Sequence, residues 1–383
     1  GVAGFAAIAK DVQPDGTLEL HDRHTGKTYG GLHVFRDRGE AGDAWTSFPP
    51  MQDRVVTSQG ACARISVVHD SPLRACLRVD QVLRIPRGLV ANDDHTFTRR
   101  SDEEVDLPIT SYLTLTRDSR AVDIRTEIDN RGECHTLHVL FPTGLPAETS
   151  WSDTAFDVVH RGIDRDDTHS YAQVINPTHP CLRFAGVSAG GAGLAIANVG
   201  LRGYEVTDDV RRAIGLTLLR AFEVRMCTVS WRWERRPDQK LSQALGRHEL
   251  EYALIPHAGD WRGAVAQEAE RLNVPMLIVQ TGRGSGTLPP RHGFVAVAPD
   301  DVELSAVKRA ESGEELLVRI YNPTEAALPA RVRVAFDVAS ARLVTLEETP
   351  LADGALTIAD GAVAFELAAK KIATVAFRPS GRA

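Results

Sequence analysis

The clearest pattern in the chain is LPITSYLTLTRDSRAVDIRTEI, residues 107–128. Apolar or small side chains occupy every second position from Leu107 to Leu115 and again from Val122 to Ile128, and the polar stretch 117–120 separates the two runs. A period of two is typical of half-buried strands, because successive side chains of a strand point to opposite faces. Two such runs around a short polar break predict a long antiparallel hairpin, with a turn after it at Asp129–Gly132.

The same alternation returns along most of the chain. Residues 216–222, 250–254 and 316–320 repeat it, and few stretches show the spacing of a helix. Many short strands with few helices between them favour stacked antiparallel sheets. The sequence therefore predicts an all-β protein.

One segment departs from this pattern. Apolar residues between Trp261 and Leu272 are spaced three or four positions apart, which predicts a helix over 261–272. Asp260 is a suitable residue to cap its first backbone N–H groups, and Pro275 is expected to end it.

A run without periodicity follows the helix. Residues 280–291 are rich in Gly, Ser, Thr and Pro, a composition that is typical of linkers. We place the domain boundary at this run. Residues 1–275 are expected to form the first domain, 276–292 a linker, and 293–383 a second, smaller β-sandwich.

Composition excludes several classes of partner. The net charge is −7 and the basic residues are scattered, so no surface for a nucleic-acid backbone is expected. No apolar run approaches the roughly 20 residues that cross a bilayer, so no membrane partner is expected. Five cysteines without a CxxC pair favour buried thiols in a reducing compartment, and hence a cytoplasmic protein. Residues 1–9 lack a basic leader and are expected to follow a cut inside a longer protein.

Local motifs for chemistry are scarce. The chain has no GxSxG elbow, P-loop or dinucleotide fingerprint, and the glycine-rich stretch Gly186–Gly193 is expected to be a hairpin loop. The separation of His135 and His138 is odd, so the two rings would point to opposite faces of a strand rather than converge on a zinc ion. A polar stretch around Arg161 is either a solvated loop or a part of a sugar site; its acidic residues are Asp153, Asp157, Asp164, Asp166 and Asp167.

Several longer segments resemble the C-terminal region of bacterial family 38 glycoside hydrolases, the α-mannosidase family. They are, in chain order, PDGTLELHDRHTGKTYGGLHVFRDRGEAGDAWTSFPP, HVLFPTGL, LTLLRAF, HELEYALIPHAGDW and ELSAVKRAESGEELLVRIYNPT. These matches occur in the family's order and cover roughly residues 13–378, which makes them far more specific than any one short motif.

The resemblance implies a fold and a function. It implies a large galactose-mutarotase-like super-sandwich followed by a smaller β-sandwich, both belonging to a retaining α-mannosidase-type hydrolase. In this family the aspartate nucleophile and a zinc ion held by two aspartates and two histidines lie mainly in an N-terminal barrel. No such motif occurs in this chain, so neither catalytic residues nor a metal are expected here. The implied partners are a mannose-containing saccharide and the N-terminal catalytic domain of the same protein.

The resemblance also implies three sugar-contacting residues. Arg161 matches an arginine that follows the segment written here SWSDTAFDVVHRGID, and its guanidinium could donate several hydrogen bonds to sugar hydroxyls. Asp43 and Trp45 lie where relatives carry a Gly-Asp-x-Tyr-x-Tyr pattern, and Ser47 replaces the second tyrosine. Arg165 does not match the family and is expected to matter little.

Alternatives remain open at this point. Arg161 could instead form a surface ion pair with Asp157 or Asp164. The chain as a whole could be a carbohydrate-binding or purely structural β module, or an epimerase of the mutarotase type. Epimerisation needs an acid and a base across one sugar ring, and no pair such as His248 and Glu249 is placed for this by local spacing. His257 and Trp261 are expected to anchor the start of the helix.

Overall fold

The prediction of an all-β protein is confirmed. A computed structural model describes residues 3–4, 8–92, 97–164, 177–227, 233–282 and 284–381. These residues fall into two compact units, 1–152 with 160–275 and 153–159 with 276–383. Within the described ranges, no helix is both long and apolar enough to cross a bilayer.

The first unit contains most of the strands before residue 259, although residues 153–159, which fall within two of these strands, belong to the second unit. The strands before residue 259 are β1 (Ala3–Gly4), β2 (Ile8–Val12), β3 (Leu18–Asp22), β4 (Thr28–Leu32), β5 (Val34–Gly39), β6 (Val56–Thr57), β7 (Arg64–Asp70), β8 (Arg74–Pro86), β9 (Leu89–Ala91), β10 (Phe97–Arg100), β11 (Glu104–Thr116), β12 (Val122–Asn130), β13 (His135–Phe141), β14 (Thr149–Thr154), β15 (Asp157–Gly162), β16 (His179–Pro180), β17 (Phe184–Ala189), β18 (Ala192–Asn198), β19 (Gly203–Val206), β20 (Ile214–Ala221), β21 (Val224–Cys227), β22 (Trp233–Arg236) and β23 (Gly246–Ala258).

Two large antiparallel sheets form the sandwich of this unit. One has the order β15-β14-β17-β18-β23-β12-β11-β8-β7, and the other β16-β19-β20-β13-β5-β6. One hydrophobic cluster takes side chains from both sheets, for example Leu113 and Leu254 from the first and Phe35, Val139 and Leu216 from the second. A shared core of this kind stabilises face-to-face packing of two sheets.

The hairpin expected over 107–128 is confirmed. Strands β11 and β12 pair antiparallel, with Leu113 opposite Ile124. The two polar residues at core positions, Ser111 and Thr126, lie 3.0 Å apart, and the Thr126 hydroxyl is 2.7 Å from the Tyr252 hydroxyl. Because each buried hydroxyl has a partner, the alternation tolerates polar side chains at these inward positions.

The glycine-rich stretch is also a hairpin, as expected. Gly190 and Gly191 form the turn between β17 and β18, both with a positive φ. Within the strand itself, a Cβ at Gly186 would lie 2.4 Å from the Trp151 ring, so the glycine leaves room for this buried indole.

The predicted helix exists, but its predicted start is wrong. Helix α1 spans Ala264–Asn273, and Asp260 does not cap it. The Asp260 carboxylate instead accepts a hydrogen bond from the backbone N–H of Arg262. Gly263 has a φ of 71°, which is incompatible with a helix, so the chain makes a separate turn before α1 begins. Trp261 is buried in this turn, in keeping with the expected anchoring role.

The second unit contains a smaller sandwich. Its strands are β24 (Val295–Ala298), β25 (Glu303–Arg309), β26 (Leu316–Tyr321), β27 (Leu328–Val334), β28 (Val338–Val344), β29 (Pro350–Leu356), β30 (Ile358–Ala359), β31 (Ala362–Leu367) and β32 (Ile372–Pro379). They form sheets of order β24-β27-β31-β30 and β25-β26-β32-β28-β29. Val318, Val332 and Phe377 are among the residues of the core.

Candidate functional site

The loop after β5 carries two of the residues expected to contact sugar. The Asp43 carboxylate is buried and accepts hydrogen bonds from the backbone N–H groups of Trp45 and Thr46, both at 2.8 Å. The backbone N–H of Asp43 in turn donates to the Thr46 carbonyl. Asp43 therefore shapes a tight turn, and this turn presents the Trp45 side chain, which is 78% exposed.

A buried carboxylate beneath this turn joins the loop to the sheet. Glu40 is 1% exposed, and its side chain accepts hydrogen bonds from Ser47 at 2.5 Å and from the Nε of Arg220 at 2.9 Å. Arg220 lies on β20 and donates from Nη2 to the carbonyl oxygens of Asp43 and Thr46. The loop is thus held at both its base and its tip.

The loop leaves room for no side chain at Gly42. A Cβ there would lie 1.8 Å from the Thr46 carbonyl oxygen and 2.7 Å from a carboxylate oxygen of Glu40. Close approach of the backbone at this position therefore requires glycine.

A cavity of about 220 Å³ lies beside the exposed indole. Its lining is formed by the loop and by the strands β16, β19, β20 and β13, which are neighbours in the six-stranded sheet. The lining residues are Trp45, Ser47, Thr136, Thr178, His179, Pro180, Arg202, Gly203, Thr217 and Arg220. An aromatic rim with hydroxyl and guanidinium groups around it suits a small ligand that has an apolar face and several hydroxyls.

A β-bulge determines which side chains reach this cavity. Strands β13 and β20 pair with Thr136 opposite Arg220, and then shift register so that His138 is opposite Thr217. In a regular strand, Thr217 and Arg220 would point to opposite faces because their separation is odd. The bulge places both of them on the cavity.

A buried histidine contacts one of the lining residues of the cavity. The Nε2 of His138 lies 3.2 Å from the Thr217 hydroxyl, and burial lowers the pKa of His138 to about 3. Burial alone would raise the pKa of Glu205, but His138, Arg36 and Arg38 outweigh it and lower this pKa to about 2. At neutral pH His138 is therefore a neutral imidazole next to Thr217, and Glu205 is a carboxylate.

Arg161 lies one layer behind the cavity wall. It is on β15, and its Nη1 donates to the Ser152 hydroxyl at 2.8 Å. Ser152 donates in turn to the carbonyl oxygen of Pro180, which is one of the lining residues. Two hydrogen bonds thus connect Arg161 to a lining residue of the cavity, and its expected contact with sugar hydroxyls stays a prediction. Asp157 pairs with Lys370.

The three expected sugar-contacting residues are therefore only partly brought together. Asp43 and Trp45 share one turn, whereas Arg161 belongs to a different strand and contacts neither of them through any hydrogen bond between described residues. Three residues of the polar stretch, Arg165, Asp166 and Asp167, lie outside the residues that the structure describes.

A second buried cluster fixes the strand that leads into the loop. The Asp37 carboxylate lies 2.5 Å from the Nδ1 of His135 and 2.5 Å from the Nη1 of Arg100. The other ring nitrogen of His135 lies 2.9 Å from the Asn130 side-chain oxygen. Asp37 and His135 are fully buried, so neither can touch a substrate, and their role is structural.

Sequence reasoning missed Glu40 and Arg220. Arg220 lies within the segment LTLLRAF, which contributed to the family resemblance, but an arginine in an alternating strand has no local feature that assigns it to a distant loop. Its hydrogen-bond partner Glu40 is 180 positions away in the chain.

Zinc has no suitable set of ligands in the described part of the chain. No group of three or more His, Cys, Asp or Glu side chains is arranged there to hold a metal ion. We therefore assign no chemical step to a metal within these residues.

Known proteins resemble this chain over most of its length. The model "Glycosyl hydrolases family 38 C-terminal domain" matches residues 10–224, and "Glycosyl hydrolases family 38 C-terminal beta sandwich domain" matches residues 301–375. A protein of Halalkalibacterium halodurans named "Putative mannosylglycerate hydrolase" is 27% identical over 82% of this chain. Human "Alpha-mannosidase 2C1" is 28% identical over 62% of it. The crystal structure of an alpha-mannosidase from Enterococcus faecalis V583 is 26% identical, with a TM-score of 0.85 over 98% of this chain.

These relatives are much longer than the chain. The match covers 35% of the Halalkalibacterium halodurans protein, 21% of the human protein and 42% of the Enterococcus faecalis structure. One family model matches more than half of the chain, and a second matches most of its smaller sandwich. The chain therefore belongs to glycosyl hydrolase family 38, of which it carries the C-terminal β domains.

Proposed function

We propose that this chain forms the C-terminal β part of a retaining α-mannosidase-type glycoside hydrolase and completes its sugar-binding site. The observation that carries the proposal is the cavity beside Trp45, in which an exposed indole faces hydroxyl and guanidinium groups. Relatives named as mannosidases, and the greater length of those relatives, support a catalytic domain outside this chain.

The proposed ligand is a terminal α-linked mannose of a saccharide or glycoconjugate. The apolar face of a pyranose can stack on the Trp45 indole, while its hydroxyls meet the hydroxyl of Thr217 and the guanidinium of Arg220 at the cavity wall. Asp43 contributes by shaping the turn, because one of its carboxylate oxygens is already occupied by two backbone N–H groups.

The residues of this chain bind and orient the sugar in this proposal. Glycoside hydrolysis passes through a transition state that resembles an oxocarbenium ion, and hydrogen bonds to the ring hydroxyls strengthen as that charge develops. Arg161 acts from behind the wall, because Ser152 relays its hydrogen bond to Pro180. We assign the nucleophile, and the zinc ion that the family resemblance implies, to residues outside this chain.

The proposed compartment is the cytoplasm. Among the described cysteines, Cys62, Cys76, Cys134 and Cys181 are thiols rather than disulfides. Burial raises the pKa of Cys134 to about 11, so this thiol is a protonated packing group at neutral pH.

Activity of two proteins on an aryl α-mannoside tests the proposal. We expect turnover by the full-length protein and none by residues 1–383 alone, because the latter supply binding groups but no nucleophile. Robust turnover by the isolated chain would refute the division of labour. A full-length protein that is folded but neither binds mannose at millimolar concentration nor hydrolyses the mannoside would favour a purely structural module.

A further inference from the structure

We infer that Glu40 is a positioning residue that holds Trp45 in place at the sugar cavity, an inference that rests on the proposed function. Glu40 does not line the cavity, and it is 1% exposed. It acts on the ligand through the loop above it.

Five donors converge on this one carboxylate. The first oxygen accepts from the backbone N–H groups of Gly42 at 2.8 Å and Phe48 at 3.3 Å. The second accepts from the hydroxyl of Ser47 at 2.5 Å and from Thr136 and Arg220 of the sheet at 3.3 and 2.9 Å. Three donors thus come from the loop and two from the strands below it.

Only a carboxylate can accept all five of these hydrogen bonds. Both of its oxygens are acceptors, and the ionised form strengthens each hydrogen bond. The amide of glutamine has the same shape, but an NH2 group replaces one of the two oxygens. This NH2 group cannot accept the hydrogen bonds that the replaced oxygen of Glu40 accepts. Glu40→Gln should therefore release part of the loop while leaving the shape of the core almost unchanged.

The consequence for Trp45 follows from how its turn is held. The Trp45 side chain is 78% exposed, so packing does little to restrain it. Its turn depends on Asp43 and on the Arg220 guanidinium, which is oriented by its hydrogen bond to Glu40. Weakening this hydrogen bond makes the turn and its indole more mobile. Each binding event must then order the indole in its stacking position, which costs conformational entropy and lowers the affinity for the sugar.

The first test measures the loop without reference to activity. Hydrogen exchange of the amides of residues 41–48 should accelerate at least about tenfold in Glu40→Gln, and by a larger factor than exchange of the core-strand amides of the same variant, because loss of a buried acceptor also lowers global stability. Glu40→Asp keeps both acceptors on a shorter side chain and should give a smaller change. Glu315→Gln is the matched control, because Glu315 pairs with Arg342 at 2.8 Å in the second unit. Exchange in residues 41–48 that is equal in Glu40→Gln and wild type would overturn the inference.

The second test is a double-mutant cycle on the full-length protein. Trp45→Ala should lower kcat/KM about 5- to 30-fold and Glu40→Gln about fivefold, mainly through KM. If Glu40 acts through the indole, the double variant should match Trp45→Ala within about twofold. Losses that multiply would show that Glu40 acts independently of Trp45 and would overturn the inference. Absence of any mannoside turnover in the folded wild type would instead count against the proposed function, and the exchange experiment would still decide the role of Glu40.

Discussion

Removal of the exposed indole is the most direct perturbation of the proposed sugar site. Trp45 is 78% exposed, so Trp45→Ala should change the free energy of unfolding by no more than about 0.5 kcal/mol. The neighbouring turn is held by Asp43 and Arg220 through backbone groups, which the substitution leaves intact.

The expected functional effect is much larger than the effect on folding. Stacking of a ring on an aromatic face contributes roughly 0.5–1.5 kcal/mol beyond the burial of its apolar area. Together with that burial we expect a loss of about 1–2 kcal/mol, which corresponds to about a 5- to 30-fold fall in kcat/KM on an aryl α-mannoside.

The assay compares three full-length proteins: wild type, Trp45→Ala and Val210→Ala. Val210 is 94% exposed and does not line the cavity, so it controls for removal of an apolar surface side chain. Steady-state kinetics and a thermal melt should show a KM effect in Trp45→Ala alone, with equal melting temperatures in all three. Equal kcat/KM in wild type and Trp45→Ala would refute stacking on this indole and remove the main support for the sugar site.

Three further predictions follow from other parts of the chain. Arg161→Lys keeps the positive charge but loses the planar guanidinium with its several N–H donors, so kcat/KM should fall at least about tenfold in a folded full-length protein. Full activity of this variant would show that Arg161 is a surface residue. Burial lowers the pKa values of His33 and His138 to about 3, so between about pH 6.5 and 3 the unfolded chain binds protons that the folded chain does not. Stability should therefore fall as the pH falls through this window, by up to about 1.4 kcal/mol per pH unit for each ring, and urea titrations of wild type and His33→Gln should differ by one such contribution. A Cβ at Gly186 would lie 2.4 Å from the Trp151 ring, so Gly186→Ala should destabilise the first unit by about 1–3 kcal/mol. An unchanged midpoint of urea unfolding would contradict the close packing of Trp151 against Gly186.

The class of the fold could be predicted from the sequence because a strand has a simple period. A strand with one buried face has an apolar side chain at every second position. This alternation is visible in residues 107–128 without knowledge of the neighbouring strands. The helix near Trp261 was found for a similar reason, since its spacing is local. Its start was wrong because the turn at Gly263 depends on a backbone angle that composition alone does not reveal.

The candidate site could be predicted only in part. The family pattern places Trp45 and Asp43 within one short loop, and the structure shows that they share a turn beside the cavity. Their contact with sugar stays a prediction. The structural role of Asp43 was not predicted from the sequence. An aspartate that shapes a turn and an aspartate that contacts sugar are the same residue type, so the sequence does not distinguish the two roles. The resemblance placed Arg161 at the sugar. In the structure its side chain is joined to the cavity through Ser152 and Pro180, and its contact with sugar stays a prediction.

Glu40, Arg220 and Thr217 owe their positions to the tertiary structure. Glu40 and Arg220 are 180 residues apart, and they meet because β5 and β20 both pair with β13. Thr217 reaches the same cavity as Arg220 only because β20 bulges opposite β13. Alternation along a strand reports which residues are buried, and this is a local property of the sequence. The partner of a buried polar side chain depends on strand order and register, which are decided when distant segments pack together.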